Sequence, residues 1–127
     1  NLSYIQCSRL YLARARTFDV NVSLGWKLTP EDLSVARQSI GGQRFVQPRP
    51  IRMVLDPPYD WLSDAERTEQ LVTLRRFGSW RPLIFSVYPA ATDKGITTTL
   101  YGRYEGSSLT HRVEGFNNFA FRIVEEL

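Results

Sequence analysis

Apolar and polar residues alternate strictly over residues 17–29, and this pattern constrains the fold more than any other feature of the chain. Six apolar side chains occupy every second position, from Phe18 to Leu28. A period of two places them on one face of an extended strand, with the polar residues on the other face. The segment therefore predicts an antiparallel strand with one buried face.

Further short segments rich in β-branched and aromatic residues follow, separated by Gly, Pro and Asp. Residues 80–88 are apolar enough to predict a central strand, and residues 4–15 predict a shorter one. Residues 106–108 predict a turn. The remaining predicted strands are residues 51–55, 97–105, 109–113 and 118–126.

One helix is predicted over residues 63–77. Ser63 is suited to the N-cap, and Glu66, three residues later, completes a capping box. Arg75 and Arg76 fall in the last turn, where the helix dipole favours cations, and Gly78 ends the helix. The 127 residues therefore predict a single, mostly β domain: an antiparallel β-sandwich or barrel-like sheet with one packed α-helix and a protruding hairpin.

Residues 28–50 admit two interpretations. Thr29, Pro30 and the two acids after them have the features of a helix N-terminus. Gly41 and Gly42, between two extended segments, are instead typical of a two-residue hairpin turn. We favour a hairpin that pairs residues 33–40 with 43–48. Two prolines at its base, Pro48 and Pro50, break ladder pairing, so the hairpin is expected at an edge or projecting from the body.

Arginine dominates the positive charge of the chain. Of 16 basic residues only Lys27 and Lys94 are lysine, and the net charge is +3. Arginine suits planar, partly desolvated contacts and is enriched at protein interfaces. Residues 1–53 hold eight basic and three acidic residues, whereas residues 54–127 hold eight and ten. A basic half and an acidic half suit head-to-tail association of copies. We expect no nucleic-acid binding, because no basic cluster is present, and no membrane span.

We expect no enzymatic activity, cofactor or metal. The chain has one cysteine, Cys7, and one histidine, His111, which excludes zinc sites built from several of either. Asp56, Asp60 and Asp64 lie among aromatic residues, as carboxylates do in glycan-cleaving clefts. A turn and a helix N-terminus explain Asp56 and Asp64, which leaves a hydrolase centred on Asp60 and His111 as a minor hypothesis.

The second half of the chain has a distinctive order of elements. A strand at residues 51–55 precedes an acid-rich capped helix, then Gly78, Ser79, Trp80 and Arg81 and an apolar strand, and the last strand ends in acidic residues. This order resembles the β-sandwich of the distal tail and minor tail (tail-tip) proteins of long-tailed bacteriophages. Residues 37–45 are similar to the protruding hairpins of tail-tube-type proteins.

The resemblance implies a virion structural protein of the phage tail, assembled in the host cytoplasm. Such proteins form homo-oligomeric rings, often hexameric, that join the tail tube to the tip hub. The partners implied are the tail tube protein, the tip hub protein and the tape-measure protein.

The functional residues are then expected at subunit interfaces. On the hairpin they are Arg37, Gln43, Arg44 and Arg49, and the expected counter-charges are Glu105, Glu114, Glu125 and Glu126. The alternative function is a β-sandwich carbohydrate-binding (receptor-binding) module. Its stacking platforms would be Tyr59, Trp61, Tyr101 and Tyr104. It requires at least two coplanar exposed rings, whereas a purely structural role buries most of them.

Overall fold

The computed structural model describes residues 14–19, 21–88 and 98–127. This part of the chain is mostly β with one helix, as predicted. The predicted strand at residues 4–15 lies almost entirely outside the described residues, as does Cys7. The elements are β1 (Lys27–Asp32), β2 (Val35–Gln38), β3 (Arg44–Gln47), β4 (Ile51–Asp56), β5 (Pro58–Ser63), α1 (Asp64–Phe77), β6 (Leu83–Ser86), β7 (Thr99–Val113) and β8 (Phe116–Glu125).

The main sheet is antiparallel, in the order β1-β4-β8-β7-β6, and curls into a half-barrel. Strands β4 and β5 share one side of β8: Val54 is paired with Val124, and Pro58 with Ala120. The chain passes from β4 to β5 at the buried Pro57. The predicted barrel-like antiparallel sheet is thus confirmed, with β8 at its centre.

Two adjoining apolar clusters make the core. The first joins β5 to β8 through Tyr59, Leu62, Phe119, Phe121 and Ile123, and the second consists of Leu55, Val87 and Leu100. The rings of Tyr59 and Phe121 are stacked, with centroids 5.8 Å apart. Phe85 packs against both clusters, so the two are continuous.

Helix α1 begins and ends as its sequence predicts. The Ser63 hydroxyl accepts a hydrogen bond from the Glu66 N–H, and the Glu66 carboxylate accepts one from the Ser63 N–H, each at 3.3 Å. At the other end the Gly78 N–H donates to the Leu74 carbonyl at 2.7 Å. Leu74 packs on the first core cluster. The capping box therefore sets where the helix starts, and Leu74 packs it against the sheet.

The predicted strand at residues 17–29 is wrong for most of its length, because β1 begins only at its end. Residues 17–19 and 21–26 form no strand, and Gly25 adopts a left-handed φ of +96° in a turn. Ahead of the turn, the Phe18 ring packs on Tyr59 with centroids 4.8 Å apart. The apolar Phe18 of the alternating segment is therefore covered by a tertiary contact and not by pairing within a sheet.

Three further expectations are corrected. Residues 58–62, between the strand predicted at 51–55 and the helix predicted from residue 63, belong to a further strand, β5. The strand predicted to be central is β6, which pairs only with β7 and ends the sheet order in the described residues. The turn predicted at residues 106–108 is absent, because Gly106 and Ser108 continue the ladder to β8 and only a register shift after Tyr104 interrupts it.

Candidate subunit interface

Strands β2 and β3 form a two-stranded antiparallel ribbon separate from the main sheet. The register pairs Arg37 with Phe45 and Ala36 with Val46. Residues 33–50, which include both strands, are called the arm below. The predicted hairpin is confirmed, and the helical interpretation of this segment is wrong.

The base of the arm is closed by hydrogen bonds of Ser34. Its hydroxyl accepts from the Arg49 N–H at 2.9 Å, and its own N–H donates to the Asp32 carboxylate at 2.8 Å. Pro48 and Pro50 have no N–H to give to a ladder and interrupt the pairing on either side of Arg49. The arm thus continues the β1–β4 ladder outward after a short break, as a separate ribbon.

The tip of the arm is a three-residue turn, one residue longer than predicted. The Ser39 N–H donates to the Gln43 carbonyl at 2.8 Å, so the turn encloses Ile40, Gly41 and Gly42. The Gly42 N–H donates back to the Ser39 carbonyl at 2.9 Å. Gly42 has a φ of +83°, a conformation that favours glycine, and it permits the chain to reverse here.

The surface of the arm is exposed from residue 36 to residue 50. Three large apolar side chains stand in this surface: Ile40, Phe45 and Val46 are 110%, 60% and 53% exposed. The charged residues of the arm are all positive, namely Arg37, Arg44 and Arg49. Phe45 and Val46 are consecutive in β3 and lie on opposite faces of the ribbon, so each face exposes an apolar side chain to a partner. The four predicted interface residues of the arm, including Gln43, therefore share one exposed element.

The two C-terminal acids predicted as counter-charges have partners within the chain. A carboxylate oxygen of Glu125 accepts a hydrogen bond from the Met53 N–H at 2.8 Å. Glu126 forms a two-pronged ion pair with Arg103, whose Nε donates at 2.8 Å. This hydrogen bonding raises the pKa of Arg103. Both acids thus tie β8 to its neighbours.

The other two predicted acids lie along the β7–β8 hairpin. Glu105 is exposed, and its carboxylate lies 3.3 Å from Nε of Arg122. Glu114 is exposed in the turn between the two strands. The structure therefore does not gather the four acids into one patch, and the role of each at an interface stays a prediction.

The rings named for carbohydrate stacking are mostly covered. Tyr59 is 4% exposed, and burial raises the pKa of the half-buried Tyr104 to about 12. Tyr101 is half-buried. Trp61 is 47% exposed, but the Arg112 guanidinium lies over its ring, 4.3 Å from the centroid. The four rings thus lack the exposed pair that a sugar platform needs.

The polar residues of the hydrolase hypothesis have structural partners. Asp60 lies 3.9 Å from Arg112, and Nδ1 of the exposed His111 lies 3.1 Å from Oδ1 of Asn117. Asp64 accepts a hydrogen bond from the same Asn117 at 2.8 Å. These contacts join strands and helix, and none pairs a nucleophile with a base.

Two absences hold for the described residues. No group of three His, Cys, Asp or Glu side chains there is close enough together to hold a metal ion. No helix among them has the length and apolar character needed to cross a membrane.

The sequence indicates contact roles for the polar residues of the arm and not for its apolar ones. Phe45 and Val46 fall within one predicted strand of the hairpin, and Ile40 ends the other. The sequence feature that indicates their exposure is their position between the glycines of the turn and the prolines that separate the hairpin from the body.

Comparison with known proteins finds similarity among solved structures alone. No family model and no curated protein matches the chain. A chain of a solved structure described as "Tail of empty GTA particle computed with helical refinement, C6 symmetry" is similar with a TM-score of 0.47 and 10% sequence identity. The match covers 85% of this chain and 79% of the other.

Proposed function

We propose that this chain is a structural subunit of a bacteriophage tail, that the arm joins its copies into a ring, and that it has no enzymatic activity. The observation that carries the proposal is the arm. It is a formed ribbon outside the main sheet, and it exposes Ile40, Phe45 and Val46 together with three arginines.

The energetics favour a partner for this surface. Apolar area removed from water contributes about 25 cal/mol per Å². Covering Phe45 and Val46 on a neighbouring subunit would therefore be favourable. The hydrogen bonds of Ser34 at the base and Ser39 at the tip fix the ribbon in advance, so less conformational freedom is lost on binding.

The tail assignment comes from the resemblance of residues 51–127 to distal tail and minor tail proteins. We propose a position in the distal-tail ring between tail tube and tip hub, with the tube, hub and tape-measure proteins as partners. The protein would be found in the virion after assembly in the host cytoplasm.

Charge reversal on the arm tests the proposal. The double variant Arg44→Glu and Arg49→Glu should lower the mass measured by sedimentation to that of the monomer, with an unchanged circular dichroism spectrum. The matched control is Lys27→Glu with Arg81→Glu, which makes the same charge change at exposed positions outside the arm and outside the last turn of α1. An arm variant that assembles like the wild type would refute the role of the arm.

Electron microscopy tests the form of the assembly. Negative-stain images of the purified oligomer should show closed rings with a central opening. Compact particles without an opening would contradict a ring that connects a tail tube to a hub.

A further inference from the structure

Strand β7 has a long edge that its neighbours leave open. β6 pairs with β7 only from Thr99 to Gly102, whereas β8 pairs with it as far as Val113. In the described part of the chain, no strand lies beside the rest of β7 on the side away from β8. Residues 105–113 are all exposed. The backbone groups along this edge are therefore available to an added strand.

The open edge contains a regular stretch bounded by two irregularities. Register shifts fall between Tyr104 and Gly106 and between His111 and Val113. Between them, residues 106–111 pair without interruption with β8. This stretch has no lysine, proline or carboxylate, which are the residues that commonly protect a strand edge. Residues 106–111 are called the β7 edge below.

The arm and the β7 edge lie on opposite sides of the central strand. β4, which follows the arm in the chain, pairs with β8 near its C-terminal end, as Val54 with Val124, and the arm lies beyond that end. The β7 edge pairs with residues 117–122 of β8 on its other side and runs toward the opposite end, where His111 is paired with Asn117. The arm of one chain therefore extends away from its own β7 edge, and a contact between the two surfaces has to join different copies.

We propose that the β7 edge receives the arm of the next copy, so that β2 or β3 is added to the main sheet beside β7. The inference rests on the proposed function and names its acceptor surface. Each arm strand has four residues, which fits within the regular stretch. Because donor and acceptor differ, the contact is head-to-tail, and it generates a ring when the rotation closes.

Glu114 offers the arm of a second copy a counter-charge at one end of the β7 edge. The arm carries three arginines and no acid, and the β7 edge itself has no arginine or lysine. Glu114 is exposed beyond residue 111, and the Arg112 between them lies over the Trp61 ring. Glu105, beyond the other end, already has Arg122 at 3.3 Å. Attraction to Glu114 favours the approach of the arm, while main-chain hydrogen bonds and burial of Phe45 or Val46 hold the two surfaces together.

Disulfide cross-linking between copies tests this pairing directly. In a Cys7→Ser background, Ser108→Cys is mixed with one of three arm variants: Gln38→Cys, Gln43→Cys or Gln47→Cys. The control mixture combines Ser108→Cys with Val72→Cys. At least one of the three arm mixtures should cross-link more than about tenfold faster than this control, since a disulfide needs Cα atoms within about 7 Å. Val72 is exposed on α1. If none of the three arm variants cross-links faster than the control, the proposed pairing is wrong.

A pair of proline variants separates this inference from the proposed function. Consecutive N–H groups of a strand point to opposite sides, so one of Ser107→Pro and Ser108→Pro removes an outward donor and spares the β8 ladder. The variant that spares the ladder is recognised because it unfolds near the wild-type temperature. This variant should be monomeric. If it assembles while arm charge reversal dissociates the oligomer, the acceptor is wrong and the proposed function stands. If neither change affects assembly, both are wrong.

Discussion

The hydroxyl of Ser34 accepts a hydrogen bond from the backbone N–H of Arg49 at 2.9 Å, across the base of the arm. The two residues are 15 positions apart, and they flank the break between the β1–β4 ladder and the ribbon. This bond fixes the direction in which the arm leaves the body.

Ser34→Ala should loosen the arm and leave the core intact. The change removes two exposed hydrogen bonds of the Ser34 hydroxyl, one accepted from the Arg49 N–H at 2.9 Å and one donated to the Arg49 carbonyl at 3.4 Å, each contributing about 0.5–1 kcal/mol. Backbone amides of β2 and β3 should therefore exchange with solvent several-fold faster, while those of β8 keep their protection. Hydrogen exchange followed by NMR measures both, with Ser107→Ala as the control. Equal acceleration in the two regions would contradict a local role.

Asn117→Ala should destabilise the whole domain. Asn117 is fully buried, donates to Asp64 at 2.8 Å and accepts from Arg67 at 3.4 Å, with His111 beside it. Loss of this side chain leaves a cavity at a fully buried position and removes the hydrogen bonds to Asp64 and Arg67, at a cost of about 1–3 kcal/mol in the free energy of unfolding. The neighbouring Asn118, whose buried Oδ1 has no hydrogen-bond partner, is the matched control. Chemical denaturation should show a smaller loss for Asn118→Ala.

Substitution by alanine should lower the stability of the domain at Gly102 and leave it nearly unchanged at Gly106. A Cβ at Gly102 would lie 2.2 Å from the Val124 carbonyl oxygen, whereas a Cβ at Gly106 would meet nothing within 4 Å. Gly102→Ala must push β7 and β8 apart and should cost at least about 1–3 kcal/mol. Gly106→Ala should change stability by less than about 0.5 kcal/mol. Thermal unfolding compares them, and similar midpoints would show that the register of β7 on β8 is wrong.

The ladder at the base of the arm should weaken in acid. A hydrogen bond from Arg52 at 2.6 Å holds the pKa of Glu31 below its ordinary 4.5. A carboxyl with a lowered folded-state pKa contributes stability above its unfolded pKa and loses it as the pH falls through the folded value. This contribution should therefore fade below pH 4.5. NMR titration should place the Glu31 pKa below that value, and Arg52→Met should raise it, whereas Arg37→Met should not.

Local signals made the arm and the helix predictable from sequence. The capping box of Ser63 and Glu66 satisfies donors within one turn, so its outcome hardly depends on the rest of the fold. Gly42 and the two prolines act in the same local way on the hairpin.

Tertiary contacts decided the elements that the sequence did not predict. The alternation around Phe18 is that of a strand, yet this ring is buried against Tyr59 rather than by a ladder. The apolar density of residues 80–88 predicted a central strand. Within the described residues β6 instead ends the sheet order, with Ile84 49% exposed and the partly buried Phe85 packed against the core clusters.

The candidate site was predictable in its charges and not in its apolar contacts. Arginines near a glycine turn indicate an exposed hairpin, which the structure confirms. Phe45 and Val46 are exposed because β2 and β3 form a ribbon separate from the main sheet. This separation is visible only in the structure. The pairing of Glu126 with Arg103 likewise follows from the β7–β8 register.

The solution mass tests the central claim most directly, namely that copies of this chain assemble through the arm. Light scattering across a concentration series at low and high salt should give a closed oligomer of about six subunits. It should dissociate as salt screens the arginine contacts. A monomer at every concentration and both salt levels would contradict the claim.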